Sequence, residues 1–327
     1  MTRTFIIGLQ CLILSTATTL YAQRGAPQAP LPDNAKSLEH INAAKKLAAD
    51  DSFLSTPLNF FCVAGTARAQ NNNAPDLEAV KLFDNVYAVG NSETAVYALT
   101  SSEGIVLLDA GFENKAEALV AQLQKLGLDP AKVKYILLGH GHADHFGGAK
   151  LFQDKFGTKI ATTAADWDLI NAPARGGAGG AKPTKDVVLA EGQPFKFGDL
   201  TITPIEIPGH TPGSLAFIFP VKDKGQTRTA GLFGGTVLTT GILTTDALKQ
   251  YIQSIAHYLD AAKRMNVDVE LQNHPIFDGM PAKLAKLKSA KASDPNPFVI
   301  GNDRYIKMWN IISECIQAEV SRREGSN

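Results

Sequence analysis

The chain has 327 residues, of which 44% are hydrophobic and 20% are charged. This composition is typical of a globular protein and excludes a disordered chain. Because 32 basic residues balance 32 acidic residues, the net charge gives no reason to expect nucleic acid or an anionic membrane as a partner. The three cysteines are too few for a disulfide framework or for a structural zinc site of four thiolates.

The N-terminus has the layout of a secretory signal. Arg3 is the only charged residue up to Gln23, an apolar run covers residues 5–14, and small residues lead to Ala22. We therefore predict a signal peptide over residues 1–23, with cleavage after Ala22, and a periplasmic or secreted protein that has no further contact with the membrane. The alternative is a buried N-terminal helix, which the proline-rich stretch 25–32 disfavours.

The hydrophobic pattern of the remaining chain alternates between strands and helices. Residues 24–79 form an N-terminal extension with one predicted helix, 37–51, that begins at Ser37. The strands predicted after it are 86–89, 95–100, 105–109, 133–138, 159–162, 186–189, 200–207, 214–221, 229–233 and 267–271. The helices predicted after it are 114–126, 145–156, 164–170 and 245–265, followed by two more near the C-terminus.

These elements predict one α/β domain over residues 80–327, including a C-terminal helical extension. Each half of the chain runs from strands to helices, and no linker interrupts residues 80–290. The arrangement favours an αββα sandwich, in which two mixed β-sheets pack together with helices outside.

A dense cluster of metal-binding side chains follows the predicted strand 133–138. It contains His140, His142, Asp144 and His145. Alternate residues of an extended chain share a side, so His140 and His142 can bind one ion. The chain then turns into a helix, which lets Asp144 and His145 face a second ion. Imidazole and carboxylate ligands suit zinc, and their density favours a metal site over a solvated loop.

Two further histidines follow strand ends. His210 lies in a tight turn of proline and glycine, and His274 closes the last predicted strand. Each is a weak signal alone, but together with the cluster they complete two sets of three ligands that leave room for water. The predicted sets are His140, His142 and His210 for the first ion, and Asp144, His145 and His274 for the second. His40 and His257 lie on predicted helices and are interpreted as structural.

The His-x-His-x-Asp-His run, the Gly-His-Thr-Pro-Gly turn and the late His274 resemble the metallo-β-lactamase superfamily over roughly residues 80–280. The Leu-Asp-Ala-Gly stretch at 108–111 is similar to that family's aspartate motif at the end of an early strand. The resemblance implies the αβ/βα sandwich fold, with two Zn²⁺ per chain at one edge between the sheets. It also implies that Asp109 orients a metal ligand or bonds the reacting water.

The ligand set resembles subclass B3 within this superfamily. Glyoxalase II-like enzymes carry a bridging aspartate in a Gly-Asp-Thr-type motif, and the similar stretch of this chain is Gly234-Gly235-Thr236, without an aspartate. Subclass B1 and B2 lactamases have a cysteine at the position of Thr236, and flavo-diiron proteins have glutamate in place of His142. The resemblance implies a zinc-dependent β-lactamase in which water activated by the metal opens the ring. Asp144 and Asp109 are the predicted catalytic carboxylates, and Thr236 and Ser214 the predicted substrate-binding residues. Subclass B3 often has a serine where this chain has Leu238.

Two other functions fit the same residues. One is a lactonase or an esterase on the same dinuclear site, and the other is a mono-iron dioxygenase of this superfamily. Six ligands without a bridging aspartate favour two zinc ions over one iron. For each function we expect a small-molecule substrate, no nucleic-acid partner and a monomer. The glycine-rich loop 171–185 is interpreted either as a substrate lid or as a solvated insertion.

Removal of the signal peptide leaves two cysteines, Cys62 and Cys315. The predicted final helix, 304–320, places Cys315 on the same face as Met308 and Ile312, so its side chain should point inward. Cys62 follows two phenylalanines that also need burial. Because cysteines in an oxidising compartment tend to pair, we predict a Cys62–Cys315 disulfide. The alternative is two buried, unpaired thiols.

Overall fold

The structure, a computed structural model, describes residues 31–63, 71–173, 181–236, 243–276 and 278–325. Its helices are α1 (Ala35–Ala48), α2 (Ser52–Leu58), α3 (Ala116–Lys125), α4 (Ala143–Phe146), α5 (Ala149–Phe156), α6 (Ala164–Asn171), α7 (Thr245–Arg264), α8 (Met280–Ser289) and α9 (Asn302–Glu324). Its strands are β1 (Val80–Phe83), β2 (Val86–Gly90), β3 (Ala95–Ser101), β4 (Gly104–Leu108), β5 (Val133–Leu137), β6 (Lys159–Thr162), β7 (Val187–Val188), β8 (Phe195–Phe197), β9 (Leu200–Glu206), β10 (Leu215–Asp223), β11 (Gln226–Phe233) and β12 (Val269–Leu271). The predicted signal peptide, the glycines at 176–180 and Leu238 lie outside the described residues.

The described strands form two sheets. The first contains β1 to β7 in chain order, with antiparallel pairs from β1 to β4 and parallel pairs from β4 to β7. The second has the order β12-β11-β10-β9-β8, in which β11 and β12 are parallel and the other pairs are antiparallel. Both sheets are therefore mixed, as the sequence predicts.

One hydrophobic core fills the space between the two sheets. Leu108 of β4 points into it, together with Phe217 of β10 and Leu232 of β11. Leu107, the neighbour of Leu108, belongs to a second core on the opposite face of the first sheet, because successive side chains of a strand point to opposite faces. Both faces of the first sheet are thus buried.

Helices cover the outer faces of both sheets. Leu119 of α3, Phe152 of α5 and Trp167 of α6 pack on the first sheet. Ile255 of α7 and Trp309 of α9 belong to a core on the outer face of the second sheet. The layers are helix, sheet, sheet and helix, which confirms the predicted αββα sandwich. Within the described part of the chain, no helix combines the length and apolarity needed to cross a bilayer.

The N-terminal helices belong to the outer helix layer. α1 begins after Asn34, whose side chain accepts from the amide of Ser37 (2.9 Å). Ser37, where the predicted helix begins, therefore lies inside the first turn. The side chain of Asn34 also donates to the carbonyl oxygen of Ser321 on α9 (2.7 Å). A disulfide joins Cys62 to Cys315, with their Cα atoms 4.9 Å apart. These contacts attach the predicted extension to the C-terminal helix.

Candidate metal centre

The six predicted ligands meet at one edge of the sandwich. The first sheet supplies His140, His142, Asp144 and His145 from the segment after β5, and the second sheet supplies His210 after β9 and His274 after β12. Glycines let the two sheets approach each other beneath the site. A Cβ atom at Gly139 would lie 2.9 Å from the Cα atom of Gly234 on the facing segment, which is too close for any side chain.

The first ligand group consists of three imidazoles. Nε2 of His210 lies 3.1 Å from Nε2 of His140 and 3.1 Å from Nδ1 of His142. His140 is buried, whereas His142 and His210 are partly exposed. The partly exposed edges of His142 and His210 mark the side from which a substrate can reach this group.

The second ligand group combines two imidazoles and a carboxylate. Nε2 of His145 lies 3.1 Å from Nε2 of His274 and 3.1 Å from Oδ2 of Asp144. The same carboxylate oxygen lies 3.6 Å from Nε2 of His274. Ligand atoms of His140, Asp144 and His145 all lie within 4.8 Å of one another, so the two groups are adjacent.

Hydrogen bonds behind the imidazoles fix which ring nitrogen faces the centre. Nδ1 of His140 donates to the carbonyl oxygen of Gly234 (2.6 Å), and Nδ1 of His274 donates to that of Glu93 (2.8 Å). A carbonyl oxygen can only accept, so each Nδ1 carries the proton and each Nε2 keeps its lone pair for a metal.

Asp109 performs the same function for His145. Its Oδ2 accepts from Nδ1 of His145 (2.7 Å) and from the side-chain amide of Asn273 (3.1 Å), and its Oδ1 accepts from the amide of Gly139 (2.7 Å). The backbone φ of Asp109 is +64°, a left-handed conformation that non-glycine residues rarely adopt. Asp109 is therefore a positioning residue behind His145, which agrees with the first of the two roles that the resemblance implies for it.

Burial and neighbouring charges favour the metal-binding forms of most ligands. Burial lowers the pKa of His140 and His210 well below the ordinary histidine value, and the surrounding imidazoles reinforce this effect. Burial together with His145 lowers the pKa of His274 to about 4. These three rings are thus neutral at pH 7 and offer lone pairs.

His145 and Asp144 form an ion pair while no metal competes for them. Burial opposes the charge on His145, but the carboxylates of Asp144 and Asp109 raise its pKa to about 10. Burial also opposes the charge on Asp144, whereas His145 and the other imidazoles hold its pKa below the usual range. A metal ion at this position would replace the proton on Nε2 of His145.

The spacing of the ligand atoms fits zinc. Ligands at about 2.05 Å from a tetrahedral ion lie about 3.3 Å from one another, close to the 3.1 to 3.6 Å separations found here. The arrangement of the residues therefore fits two metal ions.

Known proteins resemble this chain in both sequence and structure. The model of the metallo-beta-lactamase superfamily matches residues 89–223. A hydroxyacylglutathione hydrolase from Cereibacter sphaeroides is 34% identical over 214 residues, which cover 58% of this chain and 77% of that protein. The chain belongs to the metallo-β-lactamase superfamily.

The proteins that match this chain include a β-lactamase as well as hydroxyacylglutathione hydrolases. The subclass B3 metallo-beta-lactamase BJP-1 of Bradyrhizobium japonicum is 28% identical, with a TM-score of 0.60 over 77% of this chain and 93% of that chain. The hydroxyacylglutathione hydrolase GloC of Haemophilus influenzae is 31% identical over 147 residues, which cover 43% of this chain and 64% of that protein. The comparisons establish a hydrolase superfamily but leave two substrate classes.

The superfamily fold buries both residues that the sequence assigns to substrate binding. Ser214 is fully buried, and its hydroxyl lies 2.6 Å from Oγ1 of Thr211. Thr236 is also fully buried, and its hydroxyl donates to the carbonyl oxygen of Phe233 (3.1 Å) and to Oε1 of Gln272 (3.2 Å). Because both hydroxyls are engaged inside the protein, their assignment to substrate contact is wrong for this structure.

Sequence reasoning missed the polar residues that support the ligands. Asn273 bonds to Asp109 and donates to the carbonyl oxygen of Gly234 (2.9 Å), and its only signal is its place directly before His274. Asp166 accepts hydrogen bonds from Gly141 and Thr211, which are next to ligands. It has no sequence signal, because it lies in a predicted helix that is remote in sequence from every ligand. The two histidines interpreted as structural pair with carboxylates outside the ligand set: His40 with Glu314 and His257 with Glu191.

Proposed function

We propose that this protein is a hydrolase with two Zn²⁺ per chain that opens β-lactam rings. The observation that carries the proposal is the ligand set: two groups of three ligands whose only carboxylate, among the described residues, is Asp144. The stretch Gly234-Gly235-Thr236, which is similar to the motif that carries the bridging aspartate of glyoxalase II-like enzymes, contains no aspartate. The 28% identity to a subclass B3 enzyme supports the same substrate class.

The residues of this chain would divide the work of the reaction among themselves. His140, His142 and His210 would hold the first ion, and Asp144, His145 and His274 the second. Zinc in these positions supplies a Lewis acid for the substrate carbonyl and lowers the pKa of a water molecule to about 7. Asp109 and the carbonyl of Glu93 keep His145 and His274 in the required tautomers. Among the described residues, His142 and His210 are the partly exposed ligands, so a substrate would reach the site from their side.

A second candidate is hydrolysis of a hydroxyacylglutathione or another ester on the same site. The 34% identity to a hydroxyacylglutathione hydrolase, over 77% of its length, favours this alternative. An ester or thioester carbonyl needs the same polarisation and the same attacking water as a lactam carbonyl. The two candidates therefore share their metal dependence and differ only in the substrate that reacts fastest.

Metal content and substrate preference test these candidates together. The purified mature chain is analysed for metals, and kcat/KM is measured with nitrocefin, a hydroxyacylglutathione and a lactone. We expect close to two zinc ions per chain and the highest kcat/KM with nitrocefin. A higher value with the thioester would select the second candidate. Activity that is complete without any transition metal would refute both. His210→Ala, which removes a ligand of the first ion, should lower the zinc content. His40→Ala, which removes a histidine outside the site, is the control.

We also propose that the protein is exported to the periplasm or secreted. The signal-like N-terminus supports this proposal, and so does the Cys62–Cys315 disulfide, because such bonds persist in oxidising compartments. Cell fractionation followed by mass spectrometry tests it. We expect a chain that begins at Gln23 and contains no free thiol; a cytosolic chain that retains its first residues would contradict the proposal.

A further inference from the structure

A buried carboxylate outside the ligand set contacts both segments that carry the first ligand group. Asp166 lies on α6, and its Oδ2 accepts from the amide of Gly141 (2.7 Å) and from the hydroxyl of Thr211 (2.8 Å). Its Oδ1 accepts from the amide of Gly213 (2.9 Å). Gly141 lies between His140 and His142, and Thr211 directly follows His210. The side chain of Asp166 therefore forms hydrogen bonds with residues that are adjacent in sequence to all three imidazole ligands of the first group.

The N-terminal turn of α6 fits closely against the His210 turn. Thr163 caps the helix by accepting from the amide of Asp166 (3.3 Å), and its hydroxyl donates to the carbonyl oxygen of Gly213 (2.9 Å). A Cβ atom at Gly213 would collide with Oγ1 of Thr163 and lie 2.9 Å from Oδ1 of Asp166. Gly141 also approaches α6, since a Cβ atom there would lie 3.0 Å from the carbonyl oxygen of Asp166.

The direction of these hydrogen bonds requires a carboxylate at position 166. The hydroxyl of Thr211 has one proton and donates it to Asp166, so Ser214 donates to Oγ1 of Thr211 and accepts from the amide of Thr211 (3.1 Å). Two backbone amides and one hydroxyl therefore point at acceptor atoms only. An asparagine would direct its own NH₂ at one of the two amides in either orientation, which leaves that amide without an acceptor.

We propose that Asp166 is a positioning residue for the first metal ion, because it ties the His140–His142 segment and the His210 turn to one carboxylate. The inference rests on the two-metal site of the proposed function and does not depend on the substrate. Asp166 contacts none of the ligands of the second group in these hydrogen bonds. Its loss should therefore weaken the two groups unequally, which a merely structural residue would not do.

The test measures the zinc affinity of each group separately. His274→Ala leaves the first group complete, and His210→Ala leaves the second group complete. Asp166→Asn is introduced into both backgrounds, and each zinc-loaded protein is titrated with a chromophoric chelator. Asp168→Asn makes the same change at an exposed position of the same helix and is the matched control.

We expect Asp166→Asn to weaken zinc binding by the first group roughly tenfold to hundredfold. The second group should change by less than roughly threefold, and Asp168→Asn should change neither. An unchanged first group, or equal losses in both groups, would overturn the inference. If the wild-type protein binds no zinc, the proposed function falls together with this inference, whereas an unaffected first group in a zinc-binding protein refutes the inference alone.

A second pair of variants decides the question if Asp166→Asn does not fold. Thr211→Val keeps the volume of the side chain but removes the donor to Asp166, and Thr211→Ser keeps that donor. We expect the valine variant to weaken the first group selectively and the serine variant to restore wild-type affinity. Equal affinities in the valine and serine variants would overturn the inference, whatever the fate of Asp166→Asn.

Discussion

Replacing Asp109 with asparagine should impair the second metal site through the tautomer of His145. The carboxylate accepts three hydrogen bonds, from Gly139, His145 and Asn273. An asparagine oxygen can serve only one side. If it faces Gly139, the NH₂ group confronts Nδ1 of His145, and the ring must move its proton to Nε2. The lone pair that would bind the metal is then lost.

The opposite orientation of the asparagine also carries a cost. Its oxygen can still accept from His145, but the amide of Gly139 then loses its acceptor, which costs about 1–3 kcal/mol. The bond to His145 also becomes neutral, and charge-assisted hydrogen bonds are roughly twice as strong as neutral ones. We therefore expect a loss of roughly tenfold to hundredfold in zinc affinity, or about 1.4–2.8 kcal/mol, at the second group.

Two measurements check this prediction. Chelator competition in the His210→Ala background gives the zinc affinity of the second group, and NMR titration of the metal-free protein gives the pKa of His145. Because Asp109 helps to raise that pKa to about 10, Asp109→Asn should lower it. Asp303→Asn, at a side chain that is 84% exposed, is the control. A second-group affinity equal to that of the control would refute the reasoning.

Three further predictions follow from the structure. Zinc binding at pH 8 should release about two protons. One comes from His145, whose pKa is about 10, and the other from the water molecule whose pKa zinc lowers to about 7. Calorimetry in buffers of different ionisation enthalpy measures this number, and a value below one would contradict the prediction. Replacing Cys62 and Cys315 with serine should lower the free energy of unfolding by up to about 5 kcal/mol, because the disulfide closes a loop of 253 residues in the unfolded chain. The kcat per folded molecule should stay unchanged. Denaturant unfolding measures the first effect, and kcat corrected by active-site titration measures the second. Gly139→Ala should abolish zinc binding, because its Cβ would lie 2.9 Å from Gly234 and 3.4 Å from Oδ1 of Asp109. Elemental analysis measures the zinc content, and two zinc ions in this variant would contradict the prediction.

The two groups of candidate metal ligands could be predicted from sequence because their chemistry is local. His140, His142, Asp144 and His145 lie within six positions, and the strand before them fixes the side to which they point. His210 and His274 were recognisable because each directly follows a strand, and the strand ends of a sandwich meet at one edge. Spacing and strand ends were therefore sufficient to assemble both ligand groups.

The sequence could not predict the direction in which small polar side chains point. Thr236 and Ser214 occupy the expected places in the chain, but their hydroxyls turn inward to Gln272 and Thr211. Position along the chain gives the neighbourhood of a residue, whereas its partner comes from a distant segment. The role of Asp166 was missed for the same reason, since its three donors lie 25 to 47 residues away.

Some elements were missed because their limits depend on tertiary contacts. The predicted helix 145–156 is two helices, α4 and α5, separated at Gly147 and Gly148. A Cβ atom at Gly147 would collide with the backbone nitrogen of Glu113 and lie 2.9 Å from the carbonyl carbon of Phe112, so the break permits the close approach of a distant segment that no periodicity reveals. The short strands β1 and β8 lie at or near sheet edges, and their few residues carry too little pattern.

Each of the two ligand groups takes residues from both sheets, so an ion bound there would cross-link the two sheets. The unfolded chain has no such arrangement, so zinc bound in these positions would stabilise the native state by mass action. Each tenfold rise in free zinc above the dissociation constant adds about 1.4 kcal/mol per site. The concentration of free metal around the protein would then determine its melting temperature, whether or not a substrate is present.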